Sequence, residues 1–272
     1  MTELRLEGVT FSYPNGTLAL DGIDLVVSTG SSLALVGANG SGKTTLARHL
    51  NGLLRPSSGR VVVDGIDAAE HTVARLARSV GLCFQRPDRQ IFGRTLRDEI
   101  EFGPRHQGVS TEGAFARVKA LVARLGLGED LGTHPGDLGE TRRKLLTIAS
   151  VLAMETPVVV LDEPTTGLDA RGVELIEGIV GELTETGRTV IGISHDMRFV
   201  AETFARVVVL ETGRVVLDGP PAEVFGEEHW PELHAAGLEP PAAAVVGAQL
   251  GLGSTPIDAA IVEALRAVGS TG

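Results

Sequence analysis

The chain has 272 residues and 43% of them are hydrophobic, so it can bury a sizeable core as one large domain or as a domain with an appendage. Its 24 basic and 35 acidic residues give a formal net charge of −11, which disfavours the basic surface that duplex DNA requires and predicts no nucleic-acid partner. Because the sequence has no apolar run of about 20 residues and no signal-peptide pattern, we expect a cytoplasmic protein that reaches a membrane only through a partner.

Short strand-like segments dominate residues 1 to 65. They are apolar or alternating runs separated by turns such as Pro14-Asn15-Gly16 and Ser57-Ser58-Gly59. The predicted strands are 4–9, 23–27, 33–36 and 60–64.

A glycine-rich segment follows the third of these strands and precedes the helix-like run that begins at Leu46. Its spacing, Gly37-x4-Gly42-Lys43-Thr44, is typical of a phosphate-binding loop between a strand and a helix. Backbone N–H groups can converge there on phosphate oxygens, Lys43 adds a positive charge, and the Thr44 hydroxyl can reach a magnesium ion. The sequence therefore predicts a nucleoside triphosphate site. Its candidate binding residues are Gly37, Ala38, Asn39, Gly40, Ser41, Gly42, Lys43, Thr44 and Thr45.

Residues 95 to 155 have helical spacing and form a predicted helical insertion. It is preceded by a strand-like run that contains the only cysteine, Cys83, which we expect to be a buried, inert thiol, and that ends at Gln85. Strands and helices then alternate, which predicts a parallel sheet with helices on its faces. The predicted elements are strands 158–162, 189–194, 207–211 and 215–218 and helices 172–185 and 197–204.

The tail from residue 227 is rich in alanine, glycine and proline. It holds one helix-like segment, 257–268, whose apolar face would be formed by Ile257, Ile261, Leu265 and Val268. The tail is either a loosely attached extension or a packed dimerisation appendage, and the sequence leaves both open.

Two of the predicted strands end in polar side chains that could carry chemistry. Asp162 and Glu163 follow one apolar strand, and His195 follows the next. Ligands collect at the carboxyl ends of parallel strands. Asp162 is placed to hold magnesium, while Glu163 can orient and deprotonate an attacking water molecule.

Lys43, Gln85, Glu163 and His195, in this order along the chain, resemble the arrangement in ATP-binding-cassette ATPases. The resemblance covers about residues 3 to 225. It implies an α/β fold with a P-loop NTPase core, an N-terminal antiparallel β subdomain, the helical insertion and a short C-terminal appendage. It implies an ATP-binding domain over 1–226 and an appendage over 227–272.

The same resemblance implies roles for individual residues. Tyr13, the only tyrosine, is similar to the aromatic residue that stacks on adenine, and Gln85 to the residue that contacts magnesium and couples the site to its partner. Glu163 would be the catalytic base, His195 the γ-phosphate sensor, and residues 166–169 the loop that touches the opposite subunit. ATP and Mg²⁺ are the implied substrate and cofactor, with Thr44, Gln85 and Asp162 at the metal.

Segments 11–17, 84–92, 101–104 and 237–241 resemble the energy-coupling-factor and cobalt-type importer ATPases. This implies a subunit that energises the import of a metal ion or vitamin through a separate integral membrane protein. The chain would lie on the inner face of the cell membrane. Two other functions stay open: an ATP-driven clamp outside transport, and a regulatory subunit that binds ATP but scarcely hydrolyses it.

One segment departs from the family pattern. Where the family has Leu-Ser-Gly-Gly-Gln, this chain has Leu138-Gly139-Glu140-Thr141-Arg142, which we call the clasp segment. In the family it holds the γ-phosphate bound by the opposite subunit. Gly139 lacks the serine hydroxyl, and Glu140 would place a negative charge near phosphate, at a cost of about 1 kcal/mol in water or about 4 at an effective dielectric of 20. Arg142 could offset part of that charge. We therefore expect a heterodimer with a second ATPase subunit whose clasp is intact.

Overall fold

The computed structural model describes residues 3 to 128 and 130 to 269, except for the side chains of 267 to 269. The strands are β1 (Leu4–Ser12), β2 (Leu18–Val27), β3 (Ser32–Val36), β4 (Ser58–Val63), β5 (Ile66–Asp67), β6 (Val80–Cys83), β7 (Val158–Asp162), β8 (Thr189–Ile193), β9 (Arg206–Glu211) and β10 (Arg214–Gly219). The α-helices are α1 (Lys43–Leu50), α2 (Val73–Leu76), α3 (Leu96–His106), α4 (Thr111–Arg124), α5 (Glu140–Leu152), α6 (Ala170–Glu185), α7 (Met197–Thr203), α8 (Pro221–Val224), α9 (Trp230–Ala235), α10 (Ala242–Gln249) and α11 (Asp258–Gly269). Within the described ranges, no helix combines the length and apolar character needed to cross a membrane.

The N-terminal strands form a four-stranded antiparallel sheet in the order β2-β1-β4-β5. A tight turn joins β1 to β2, because Gly16 has a positive φ of 86° and its N–H donates to the carbonyl of Tyr13 at 2.8 Å. Buried and exposed residues alternate along most of β2, as expected for a strand that covers a core with one face. The predicted antiparallel β subdomain is confirmed.

The second sheet has six strands in the order β10-β9-β3-β8-β7-β6. All neighbours are parallel except β10, which pairs antiparallel with β9. The sequence predicted a parallel sheet throughout this region. The edge strand differs because Thr212 and Gly213, with φ of 46° and 81°, form a two-residue hairpin turn that can only join antiparallel strands.

The central strands of this sheet are buried on both faces. In β3, Leu33 and Leu35 point into a core shared with the antiparallel sheet and α1, whereas Ala34 and Val36 point into a core shared with the helices of the opposite face. This alternation follows from the two-residue period of a strand. The sheet is therefore held rigidly from both sides.

The predicted helical insertion, residues 95 to 155, contains α3, α4 and α5. The inner face of α5, including Leu146, Ile148 and Ala149, is fully buried in the core that also holds Cys83. Burial raises the pKa of the Cys83 thiol, so the expected inert cysteine is confirmed. Because α5 packs against both β6 and β7, the start of this helix is attached to the sheet that carries the site.

The described part of the C-terminal tail contains three α-helices, α9, α10 and α11, rather than the one helix that the sequence indicated. Leu233, Ala236 and Leu238 are buried in the main core, so the part of the tail that they occupy is packed rather than loosely attached. The division at residue 226 stays a prediction, and residues 270 to 272 lie outside the described residues. Ile257 of the expected apolar face contacts this core, but Leu265 is 46% exposed. Dimerisation through the tail also stays a prediction.

Candidate functional site

The carboxyl ends of β3, β6, β7 and β8 lie at one edge of the six-stranded sheet. Lys43 begins the helix that follows β3 and its loop, and Gln85, Glu163 and His195 lie in the loops that leave β6, β7 and β8. Residues distant in the chain are brought together because adjacent parallel strands end side by side.

The glycine-rich loop between β3 and α1 fits only if two of its positions lack a side chain. A Cβ atom on Gly37 would lie 2.2 Å from the carbonyl oxygen of Leu210, and one on Gly42 would lie 2.5 Å from that of Ala19. Both glycines also have positive φ, of 145° and 107°. The loop is thus threaded closely between β9 and β2.

The N-terminus of α1 presents a set of backbone donors. In the described part of the chain, these N–H groups have no hydrogen-bond acceptor: Asn39, Gly40, Gly42, Lys43, Thr44 and Thr45. The first turn of α1 contains no acidic residue. Free donors and the positive end of the helix dipole together favour a bound anion.

The ammonium group of Lys43 lies over this loop. Its Nζ donates to the carbonyl oxygens of Gly37 at 2.7 Å and Ala38 at 2.8 Å, and to Ser41 Oγ at 3.3 Å. Burial lowers the pKa of Lys43, and the charges of Glu163 and Asp162 oppose that shift. The lysine therefore places a positive charge at the loop, within electrostatic reach of Asp162 and Glu163.

Thr44 and Asp162 are in direct contact, since the Thr44 hydroxyl donates to Asp162 Oδ2 at 3.0 Å. Asp162 is only 3% exposed, and burial raises its pKa while the hydrogen bond from Thr44 lowers it. Within the described ranges, no group of three or more His, Cys, Asp or Glu side chains could form a metal site by itself. The pair offers two hard oxygen ligands at the foot of α1.

Glu163 and His195 form the second contact at this edge. His195 Nδ1 lies 2.8 Å from Glu163 Oε2, and the Thr166 hydroxyl donates to the same oxygen at 3.3 Å. Glu163 has a φ of 52°, and its N–H donates to the carbonyl of Ile193 at 2.8 Å. Glutamate rarely adopts this left-handed conformation, and here its carboxylate lies against His195 at the neighbouring strand end.

Tyr13 lies beside the helix that follows the loop. Its hydroxyl oxygen is 2.9 Å from Thr45 Oγ1, and its ring packs edge-on against Phe11 with centroids 5.0 Å apart. Tyr13 borders a cleft of about 320 Å³ that also includes the phosphate-loop residues and both carboxylates. The lining is Tyr13, Thr17, Leu18, Ala19, Asn39, Gly40, Gly42, Lys43, Thr44, Thr45, Gln85, Asp162, Glu163 and Ile193.

Gln85 stands between this cleft and a second one of about 670 Å³ on the other side of Glu163 and His195. Its side chain is exposed, and its backbone carbonyl accepts a hydrogen bond from Lys144 at 3.0 Å. Every site residue expected from the sequence thus lines one of the two clefts, apart from Ser41, whose hydroxyl accepts a hydrogen bond from Lys43.

Sequence reasoning missed Lys144. Its Nζ also donates to the carbonyl of Asp162 at 3.3 Å, and the side chain is 4% exposed. Burial lowers its pKa. Lysine is rarely buried without partners, so a lysine inside the apolar run of α5 was a signal that could have marked it.

Gln90 was missed as well. Its Oε1 accepts from the N–H of Phe84, while its Nε2 donates to the Thr147 carbonyl at 2.9 Å and to Ser150 Oγ at 3.0 Å. Gln90 therefore ties the segment that follows β6 to helix α5. No local pattern marked this role of Gln90, because both of its partners on α5 are remote in the chain.

The clasp segment lies at the start of α5, outside both clefts of its own chain. Gly139 is the N-cap and provides no side-chain hydrogen bond, and Glu140 occupies the first turn. The Thr141 hydroxyl donates to the carbonyl of Gly167 at 3.3 Å. The clasp segment is thus linked to residues 166–169, whose Thr166 contacts Glu163.

Comparison with known proteins agrees with this geometry. The family model for ABC transporters matches residues 20–166. The chain belongs to the ABC transporter family. An energy-coupling factor transporter ATP-binding protein, EcfA2 of Symbiobacterium thermophilum, is 40% identical over 251 residues, which are 90% of this chain and 86% of that protein.

Two solved structures share the ABC fold. One is cbiO1 of Clostridium perfringens, described as part of the ABC transporter complex cbiONQ, with a TM-score of 0.73, 34% identity and coverage of 85% of this chain and 94% of that one. The other is a dimeric ATP-binding cassette in a post-hydrolysis state bound to ADP and Pi, with a TM-score of 0.74, 26% identity and coverage of 80% and 98%. Some relatives are longer: the chain spans 40%, 38% and 43% of the length of three from Methanosarcina mazei, Methanosarcina acetivorans and Caldanaerobacter subterraneus.

Proposed function

We propose that this ABC protein binds and hydrolyses ATP and thereby energises the import of a metal ion or vitamin through a separate integral membrane subunit. The observation that carries the proposal is the convergence of the loop donors, the Thr44–Asp162 pair and the Glu163–His195 pair at one sheet edge. Each part matches one need of phosphoryl transfer: phosphate binding, metal binding and activation of water.

The phosphate groups of ATP would lie on the donors of Asn39 to Thr45, with Lys43 neutralising part of their charge. The adenine base would stack on Tyr13, whose ring is fixed by Phe11 and by the bond to Thr45. Gln85 would border the nucleotide on the side of the second cleft. The cleft thus has a charged end and an aromatic end, as a nucleotide requires.

Thr44, Gln85 and Asp162 would hold a magnesium ion. Oxygen ligands from one carboxylate and one hydroxyl suit Mg²⁺, which takes its remaining ligands from phosphate groups and water. When bound, Mg²⁺ neutralises charge on the phosphate oxygens. The 3.0 Å bond between Thr44 and Asp162 holds the two ligand oxygens close together.

Glu163 would accept the proton of the attacking water, and His195 would sense the γ-phosphate. The 2.8 Å contact between them orients the carboxylate and links its position to that of the histidine. Because Glu163 is 8% exposed at the wall of both clefts, little solvent competes for its oxygens. Positioning and charge stabilisation would then supply the catalysis.

The second ATPase subunit would complete each site, and we propose a heterodimer. Glu140 lies in the first turn of α5, where an anion already interacts with the helix dipole and repels a second anion. A partner with an uncharged clasp would serve the nucleotide held by this chain. The nucleotide held by the partner would meet Glu140 and be hydrolysed slowly.

The membrane subunit would dock on an apolar groove of about 620 Å³ between α2 and α3. Phe102 lines the groove and is 43% exposed, and the neighbouring Phe92 ring packs against it at 4.5 Å and is 62% exposed. Exposed aromatic residues of this kind mark interaction surfaces. Gln90 connects the segment beside the groove to α5, so a movement caused by docking of the membrane subunit would be transmitted to the nucleotide site.

The proposal can be tested by purifying the tagged chain from detergent-solubilised membranes. We expect an integral membrane protein to co-purify and the complex to hydrolyse ATP. Phe102→Asp should reduce recovery of the membrane protein by about tenfold, whereas Val26→Asp, at an exposed position on the antiparallel sheet, should not.

A soluble target recovered in place of a membrane protein would favour the ATP-driven clamp. A membrane complex that binds ATP without turnover would favour the regulatory subunit. Failure of the chain to bind ATP at all would contradict the proposal.

A further inference from the structure

The C-terminal tail makes a direct contact with the phosphate loop. The N–H of Ala38, the second residue of the loop, donates to the carbonyl of Ala236 at 3.0 Å. Ala236 is 2% exposed, so this bond is protected from water. The loop is therefore held from outside the strand and helix that flank it.

Ala236 and Gly237 belong to a well-defined helix end. The N–H of Gly237 bonds to the carbonyl of His234 at 3.0 Å, and the N–H of Leu238 bonds to that of Leu233 at 2.9 Å. This is a Schellman motif, in which a glycine with positive φ, here 70°, ends the helix. Buried Leu233 and Leu238 anchor the motif in the main core.

The turn approaches the loop so closely that an added side-chain atom would displace its neighbour by a few tenths of an ångström. A Cβ on Gly237 would lie 3.0 Å from the Cβ of Ala38. Residues 237 to 242 then continue along the second cleft, opposite Asn39 and His195. The turn therefore packs directly on the part of the loop that faces this cleft.

The peptide groups of Ala38 set the position of two other loop groups. Its carbonyl accepts from Lys43 Nζ at 2.8 Å and from the N–H of Ser41 at 3.1 Å. The next residue, Asn39, carries the first of the backbone N–H groups that have no acceptor among the described residues. A displacement of Ala38 would therefore move the lysine charge and the donors together.

We propose that the turn Ala236–Gly237 positions the phosphate loop, so that the affinity for ATP depends on the C-terminal tail. The inference rests on the proposed binding of ATP to this loop. By linkage, a partner that displaces the tail would weaken nucleotide binding, and bound nucleotide would hold the tail in place. A turn that only stabilises the fold would have no such effect on affinity.

The chain contains a matched control for this idea. Gly251 also ends a helix in a Schellman motif, with its N–H bonded to Ala248 and that of Leu252 to Gly247, and its φ is 67°. A Cβ on Gly251 would meet no atom within 4 Å. Gly237→Ala and Gly251→Ala thus carry the same backbone strain, but only the first presses on the loop.

The experiment measures the dissociation constant for ATP and the unfolding midpoint of both variants in the full chain. We expect similar shifts in the midpoint, but an affinity lowered about tenfold only in Gly237→Ala, equivalent to one displaced hydrogen bond to a charged phosphate. Adding Ala38→Gly removes one of the two Cβ atoms. Compared with Ala38→Gly alone, the double variant should therefore lose clearly less than tenfold.

If Gly237→Ala does not fold, the pair Gly237→Asn and Gly251→Asn replaces it, because asparagine tolerates positive φ. Equal ATP affinity in the matched variants overturns the inference while leaving the proposed function intact. Wild-type protein that does not bind ATP overturns the proposed function itself.

Discussion

The N-termini of α1 and α5 show how one structural element can suit or oppose a phosphate group. Both helices begin after a glycine N-cap that provides no side-chain hydrogen bond, Gly42 in one and Gly139 in the other. The first turn of α1 begins with Lys43 and contains no acidic residue, whereas the first turn of α5 contains Glu140. The helix dipole alone therefore does not define an anion site, because one carboxylate in the first turn offsets it.

The two helix N-termini also differ in the backbone conformation of their N-cap glycines. Gly42 has a φ of 107° and lies against the backbone of Ala19, so no other residue can replace it. Gly139 has φ −62° and ψ 162°, which any residue adopts, and an added Cβ would meet no atom within 4 Å. The glycine of α1 is required by the fold, while the glycine of α5 is open to substitution.

The largest expected effect is at the chemistry beside α1. Glu163→Gln should lower ATP turnover by about 10² to 10⁴ while ATP binding is retained, because the amide keeps the shape but cannot accept the proton. Phosphate release and ATP binding are measured on the same preparation. Glu140→Gln removes a carboxylate at the other helix and should not reduce turnover. Wild-type turnover by Glu163→Gln would show that this carboxylate is not the base.

Removing the charge at α1 should have the next largest effect. Lys43→Ala should weaken ATP binding by about tenfold to a hundredfold, because it removes a charged donor to phosphate and the bonds that hold the loop carbonyls. Calorimetric titration with ATP measures this, with Lys119→Ala as the control for a lysine on α4. Unchanged affinity in Lys43→Ala would contradict the phosphate-loop assignment.

Repair of the clasp segment makes α5 more like α1. The triple variant Gly139→Ser, Glu140→Gly, Thr141→Gly should raise the steady-state ATP turnover of the purified chain alone at least about fivefold, since about 1 kcal/mol of repulsion is relieved. Serine is also a favourable N-cap, and the conformation at 139 accepts it.

Glu140→Gln alone isolates the contribution of charge to this effect. If the wild-type chain hydrolyses ATP rapidly as a homodimer and the repair adds nothing, the heterodimer proposal is wrong.

The smallest effect concerns Lys144, which connects α5 to the site beside α1. Burial places its pKa in the folded chain below the ordinary value of about 10.4. At a pH between the pKa of the folded chain and that of the unfolded chain, Lys144 is protonated more in the unfolded chain than in the folded one. The free energy of unfolding therefore rises with pH, by at most about 1.4 kcal/mol per pH unit from this lysine. Lys144→Met should lack that rise.

Urea unfolding of both proteins between about pH 7 and about pH 10 tests this prediction. The stability of the wild type relative to Lys144→Met should increase as the pH increases. A constant difference over the range would show that Lys144 does not titrate with folding.

Local patterns were sufficient to predict the elements that carry the nucleotide site. The spacing of Gly37, Gly42 and Lys43 defines a loop whose donors all come from neighbouring residues, and the strand ends at Asp162 and Ile193 were placed within one residue. The tail was predicted less well. The apolar residues between 227 and 249 show little helical periodicity. The sequence analysis missed α9 and α10 because both helices are short and depend on contacts with the core.

The sequence by itself determined the phosphate loop, the alternation of strands and helices between residues 158 and 218, and the unusual clasp segment, because each depends on residues that are close in the chain. Only the tertiary structure decided that Lys144 bonds to Gln85 and Asp162, and that Ala236 bonds to Ala38. In each of these contacts the acceptor is a backbone carbonyl, which every residue possesses, so no residue type marks where the partner lies. They arise when parallel strand ends and a buried helix end meet at one edge of the sheet.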